Sequence, residues 1–199
     1  MVKRKKVRKS SYHYFKLGNE LFENERYKYA LMAYTRAIEL DPNRVKAWIG
    51  KGNIYMEFHE FDKALEAYQK VSEALPNKAS SWRNLGLALC ELNRREEAAV
   101  AYENALELDP LNGLYWLGIA NVYYDLALYG KAVFAFERAE RLGEFFFIPW
   151  LRLAHALEEL NRFQEAYEAC QQEAGLMAWD KAGWKGFTGN DPKPAEPKT

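Results

Sequence analysis

The 199 residues carry 28 basic and 28 acidic side chains, so the formal net charge is zero, and 49% of the chain is hydrophobic. A balanced charge excludes a body drawn to polyanions by net charge alone, and only two cysteines, Cys90 and Cys170, exclude a disulfide framework. The balance is uneven, because residues 1–10 hold six basic residues (Lys3, Arg4, Lys5, Lys6, Arg8 and Lys9) and no acid, which leaves the remainder acidic.

The basic run at 1–10 has no apolar face and reads as a disordered tail. Nucleic acid, an anionic surface or nuclear import are its functional readings. No aromatic platform accompanies it, so the sequence disfavours nucleic acid as the main partner. The stretch that follows, SYHYFKLGNELFENE, is interrupted by charge, so neither a signal peptide nor a membrane span is expected and a cytoplasmic location is the default.

From residue 11 the chain repeats itself. Tyr14, Trp48, Trp82, Trp116 and Trp150 stand 34 residues apart. Gly18, Gly52, Gly86, Ala120 and Ala154 keep the same offset, as do Ala30, Ala64, Ala98, Ala132 and Ala166. Tyr34, Tyr68, Tyr102, Phe136 and Cys170 form a fourth row, and Pro42, Pro76 and Pro110 a fifth. A fixed period of this length marks a stacked array of small units. Five units follow: 11–44, 45–78, 79–112, 113–146 and 147–180. Positions within a unit are numbered here as slots 1 to 34.

Inside each unit the apolar period is helical. Slots 4, 7, 8 and 11 form one face, and slots 17, 20, 21, 24 and 27 form another. The break between them holds Asn93-Arg94 in the third unit and Asn161-Arg162 in the fifth, and asparagine suits the left-handed residue that closes a helix. Two antiparallel helices of about 13 residues, about 20 Å long, are predicted per unit. Small residues at slots 8 and 20 let the backbones approach, the aromatics of slots 4 and 24 fill the core, and the slot 32 proline stops the second helix. The fifth unit is atypical, with Cys170 at slot 24. Residues 181–199 contain three glycines and three prolines, so they read as a partly disordered tail from which Trp184 and Phe187 fold back.

This pattern of aromatic, Leu-Gly, Ala, Tyr, Ala and Asp-Pro resembles the tetratricopeptide repeat family. The resemblance is closest in the first three units, which end ELDPN, EALPN and ELDPL. It implies an all-α, right-handed α-solenoid of about five helix-turn-helix repeats. It also implies a protein-interaction scaffold that holds a peptide or helix of a partner in a concave groove lined by the first helices.

Slots 2, 5, 6, 9, 12 and 13 of each first helix are left over from packing and carry that groove. The candidate residues are Phe15, Asn19 and Phe22; Ile49, Asn53 and Met56; Arg83, Asn84 and Leu87; and Leu117, Asn121 and Tyr124. Slot 6 includes Gly50 and Gly118, and slot 13 ends each set with Glu23, Glu57, Glu91, Asp125 and Glu159. An asparagine row can satisfy an extended peptide backbone whatever its side chains, and the same asparagines can instead serve the helix–helix junction. The apolar flanks favour an interaction surface. Co-chaperone domains of the family grip acidic C-termini with a cation at slot 5 of one repeat and cations at slots 2 and 6 of the next repeat but one. Asparagines at slot 9 of the first of these repeats and slot 6 of the second complete the grip, and Asn53 and Asn84 fill those places here. Ile49, Leu114 and Gly118 occupy the cation places, so the resemblance does not extend to a carboxylate clamp.

Nothing points to catalysis. His13, His59 and His155 lie in different units, and no phosphate loop, nucleophile elbow or Cys-x-x-Cys pair is present. No enzyme activity, cofactor, metal or small-molecule substrate is expected. The tails of 1–10 and 181–199 are too short for a catalytic domain, and self-association through the fifth unit or the FFF run is the remaining structural reading.

Overall fold

The computed structural model describes residues 10–144 and 148–181, with side chains as far as 172. The expectations for the basic run at 1–9, the FFF run at 145–147 and the tail from 182 lie outside the described residues. Ten helices and no strand occur among the described residues. The chain divides into two compact units, one ending at Ile148 and the other beginning at Pro149.

The first unit holds α1 (Ser11–Glu23), α2 (Tyr27–Leu40), α3 (Val45–Glu57), α4 (Phe61–Ala74), α5 (Ala79–Glu91), α6 (Arg95–Leu108), α7 (Gly113–Asp125) and α8 (Tyr129–Arg141). Each helix packs on the next in sequence. In addition α1 touches α3, and α5 touches α7. The second helices, like α3 and α5, approach one another less closely.

Every first helix ends the same way. Glu25, His59, Asn93 and Ala127 take φ values of 56°, 56°, 59° and 57° at slot 15. The next amide then reaches back to close the turn: Arg26 N–H donates to Leu21 O over 2.8 Å, Glu60 to Tyr55 over 2.8 Å, Arg94 to Leu89 over 2.9 Å and Leu128 to Tyr123 over 2.8 Å. This is the hydrogen-bond pattern that a left-handed C′ residue permits. The sequence flagged it only where the residue is asparagine.

Alanines form the helix–helix seams, and Ala30, Ala64, Ala98 and Ala132 are fully buried. The slot 4 tryptophans do more than fill space. The indole N–H of Trp48, Trp82 and Trp116 donates to the carbonyl of Pro42, Pro76 and Pro110 over 3.0, 2.7 and 2.9 Å. Each ring, half-buried, thereby ties its helix to the proline turn that precedes it.

The second unit pairs α9 (Trp150–Glu159) with α10 (Phe163–Lys181). Its turn uses Asn161 at φ 59°, and Ala166 is buried. At 19 residues α10 outruns the predicted length of about 13. Ala178 stands at slot 32, so no proline stops the helix there. The spacing of the two cysteines on separate helices predicts packed thiols, but Cys170 is exposed, because no further helix pair covers slot 24 among the described residues.

Candidate functional site

The groove begins with the tyrosines of slot 24. Tyr34 of α2 is seated between Gly18 of α1 and Gly50 of α3, and a Cβ added at Gly18 would stand 2.5 Å from the ring. Tyr102 of α6 sits likewise between Gly86 and Gly118, and Tyr68 of α4 against Gly52. Gly50 and Gly118 are therefore seats for rings and not open groove floor, which corrects the assignment of slot 6 to the free face.

Once seated, two of these tyrosines aim their hydroxyls at the asparagine of slot 9. Tyr34 Oη donates to Asn19 Oδ1 over 2.9 Å, and Tyr68 Oη donates to Asn53 Oδ1 over 2.8 Å. The acceptor of each amide is thus taken within its own helix pair. The Nδ2 groups of Asn19 and Asn53 donate to no protein group among the described residues. The junction reading thus accounts for the oxygen end of each side chain and leaves the nitrogen end without a protein acceptor among the described residues.

The row is not uniform. In the third pair Leu87 occupies slot 9, and Asn84, one turn earlier, meets Arg83 Nη1 at 3.4 Å. In the fourth, Phe136 brings no hydroxyl, and Asn121 Nδ2 donates to Leu117 O of its own helix over 3.0 Å. The twelve candidate residues Phe15, Asn19, Phe22, Ile49, Asn53, Met56, Arg83, Asn84, Leu87, Leu117, Asn121 and Tyr124 are all partly exposed, none fully buried and none fully solvated. Phe15 leans on Tyr34 at 6.2 Å between ring centroids, Phe22 on Tyr27 at 5.3 Å and Tyr124 on Tyr129 at 5.9 Å. These rings give the face its apolar character without leaving it.

Burial pushes the Tyr68 hydroxyl up to about 12; the charge of Arg83 opposes that shift and the charge of Glu57 adds to it. Burial likewise raises Tyr102 and Tyr115, with Arg83 again lowering both. Arg83 therefore sits among three tyrosines. Cys90 at slot 12 is pushed up to about 11, chiefly by burial and then by Asp125 and Glu91, so it stays a thiol at neutral pH.

A separate cleft of about 710 Å³ opens beside α2, lined by Tyr14, Leu17, Leu21, Tyr29 and Met32 among others. The equivalent residues of the third pair, Trp82, Leu85 and Leu89, face Gln69 of α4. The larger cleft is thus lined by the counterparts of residues that, in the third pair, lie beside α4. No group of three or more His, Cys, Asp or Glu side chains placed to hold a metal occurs among the described residues, and His155 lies 3.6 Å from Glu159. No described helix is long and apolar enough to cross a membrane.

Slot 13, on the same face, is acidic in every unit. The signal lies across units and not along any one helix.

Two family profiles described as Tetratricopeptide repeat match the chain, over residues 21–90 and 79–112. No curated protein matches. Among solved structures, MamA protein superposes with a TM-score of 0.78 at 19% identity, covering 89% of this chain and 97% of that one. YrrB, described as a TPR protein with an unusual peptide-binding site, gives 0.73 at 18% identity, covering 82% and 84%. The first TPR of Spaghetti (RPAP3), bound to HSP90 peptide SRMEEVD, gives 0.57 at 23% identity, covering 59% and 94%. The period, the helix pairs, the ring seats and the matched profiles agree, and the chain belongs to the tetratricopeptide repeat family.

Proposed function

We propose that the chain is a protein-interaction scaffold whose first-helix groove holds an extended segment of a partner protein. The array that carries the groove runs over 11–180 in five repeats. The observation that carries this reading is the orientation of Asn19 and Asn53. Their oxygens are held by tyrosines, and their Nδ2 donors remain on a half-exposed apolar face. Such donors fit the carbonyls of an extended backbone, while Phe15, Phe22, Ile49, Met56, Leu87, Leu117 and Tyr124 offer contacts to its side chains. A monomer gains nothing from leaving such a surface open to water.

Two of the similar structures are described by their peptides, which supports groove binding as a mode available to this fold. The chain departs from acidic-terminus recognition at Ile49, Leu114 and Gly118, so the segment is not gripped by a clamp of three cations. Arg83 is the one cation among the candidate groove residues, and Asn84 and Asn121 complete its polar set. No catalytic role, cofactor or small-molecule substrate is assigned.

A random-peptide display selection against the protein, with an Asn53→Ala/Asn84→Ala variant as counter-target, tests the reading. Enrichment of a motif that the variant fails to hold is the expected result. Equal retention by protein and variant, with helicity unchanged, would overturn it.

A further inference from the structure

The last turn of each first helix carries a carboxylate: Glu23 on α1, Glu57 on α3, Glu91 on α5 and Asp125 on α7. No basic residue accompanies it in any of these last turns. This is the unfavourable end for an acid, because the unpaired carbonyls of a helix C-terminus already carry negative partial charge. Ion pairing reaches one end of the row only. Glu23, Glu57 and Glu91 make no salt bridge among the described residues, whereas Asp125 pairs with Arg95 Nε at 4.0 Å. All four side chains are exposed. A locally disfavoured charge that recurs at one slot in every helix pair is the kind of inconsistency that marks a functional surface.

The row borders the groove already described. Asn19 and Glu23, Asn53 and Glu57, Leu87 and Glu91, and Asn121 and Asp125 are each four residues apart, so each pair shares one helix face. Phe22, Met56 and Tyr124 directly precede three of the acids. Burial is the first cause of the raised hydroxyls of Tyr34 and Tyr68, and the charges of Glu23 and Glu57 add to it. The carboxylates therefore lie close to the hydroxyls that hold Asn19 and Asn53. Apolar contacts, amide donors and a line of acids together make one surface.

We propose that the segment held in the groove belongs to a partner protein and is basic along one edge, its Lys or Arg side chains facing Glu23, Glu57, Glu91 and Asp125 while its apolar side chains meet the residues between them. The inference rests on the groove reading above. Packed helices lie about 8–10 Å apart and an extended chain advances about 3.3 Å per residue, so the cations recur at about every third residue. Three cations of the groove slots on α1, α3 and α5 modulate the pattern, and Lys46, at slot 2 of the second repeat, is exposed. Lys16 Nζ is held over the Tyr12 ring at 5.5 Å, away from the acids, and Arg83 faces one position where the segment presents a carbonyl or an acid.

The test uses the full chain and three fluorescent peptides, each four repeats of a triplet: Lys-Val-Ser, Gln-Val-Ser or Glu-Val-Ser. Anisotropy titrations should rank the Lys peptide first, with the Gln peptide about tenfold weaker and the Glu peptide weaker again. A Glu57→Gln/Glu91→Gln variant, changed only at exposed positions, should bring the Lys peptide down to the Gln level. Added salt should weaken the Lys peptide alone. An Ile49→Ser/Leu87→Ser variant that keeps its helicity should weaken the Lys and Gln peptides together.

Equal binding of the three peptides, or preference for the Glu peptide, overturns the charge inference and leaves the groove reading standing if the Ile49/Leu87 variant still weakens all of them. An Ile49/Leu87 variant without effect, beside loss of binding in the Glu57/Glu91 variant, overturns the groove reading itself. Binding of the Lys peptide only after deletion of residues 2–9 makes the chain's own basic run the occupant and overturns the assignment to a partner. A solution mass that rises with concentration and falls back in the Glu57/Glu91 variant makes a second copy the occupant, with the same consequence.

Discussion

The Tyr68 hydroxyl donates to Asn53 Oδ1 across 2.8 Å, joining slot 24 of one helix to slot 9 of its partner. The bond engages the amide oxygen and leaves Nδ2 without a protein acceptor among the described residues. Tyr68→Phe removes the donor and leaves the half-buried oxygen of Asn53 without it, at a cost of about 1 kcal/mol. Tyr102, whose helix pair carries Leu87 in place of asparagine, has no such acceptor, so Tyr102→Phe should stay within about 0.5 kcal/mol. Urea denaturation of the two variants provides the comparison. Equal losses would refute a specific role for the Tyr68–Asn53 bond.

The same tyrosine sets an alkaline limit. Its folded value of about 12 lies above its reference value of 10.0, so folding favours the neutral phenol. That contribution is complete below pH 10 and is lost as the pH rises from 10 to 12, the direction required for a raised acid. Stability should fall through this window by an amount on the order of 2 kcal/mol from Tyr68 alone. Tyr68→Phe should show a shallower fall when urea midpoints are followed against pH.

Gly118 and Gly130 make opposite predictions for the same substitution. A Cβ at Gly118 would collide with the Tyr102 ring, which Gly86 confines from its other side. Gly118→Ala should therefore cost about 1–3 kcal/mol through overpacking. At Gly130, inside α8, a Cβ would meet nothing within 4 Å. Gly130→Ala should stabilise by about 0.5–1 kcal/mol, because alanine restricts the unfolded chain and suits a helix. Thermal melts of both variants decide between these signs.

Ala127 holds φ at 57°, where its Cβ is crowded. Ala127→Gly should raise stability by about 0.5 kcal/mol, the net of relieved crowding and a freer unfolded chain. Asn93→Ala, at φ 59°, should lower it by a similar amount. Urea midpoints for the pair would fail the argument if both changes moved stability the same way.

Much of the architecture is legible without coordinates, for a definite reason. Helical packing in a stacked array is set by short-range periodicity, so the 34-residue recurrence of Trp82, Gly86, Ala98 and Tyr102 already specifies two helices and their buried faces. The twelve candidate groove residues follow from the same arithmetic, as whatever packing leaves over. Asn93 and Asn161 announce left-handed turn residues by their chemistry. Glu25, His59 and Ala127 adopt that conformation with no local sign, because the two helices they join are held by packing strong enough to override their preference.

What the residues determine by themselves is which faces are buried and which are left. What tertiary structure decides is what each remaining atom does. Asn53 and Tyr68 lie 15 residues apart on different helices, and only the seating of the ring against Gly52 brings the hydroxyl to the amide oxygen. Gly50 and Gly118 belong by spacing to the free face, yet rings from the preceding helix pair occupy them. Trp48, Trp82 and Trp116 belong by period to the core, yet their indole N–H groups clasp proline carbonyls six residues earlier. Periodicity counts residues along one helix, whereas hydrogen bonds and ring contacts depend on where a second helix sets its side chains down.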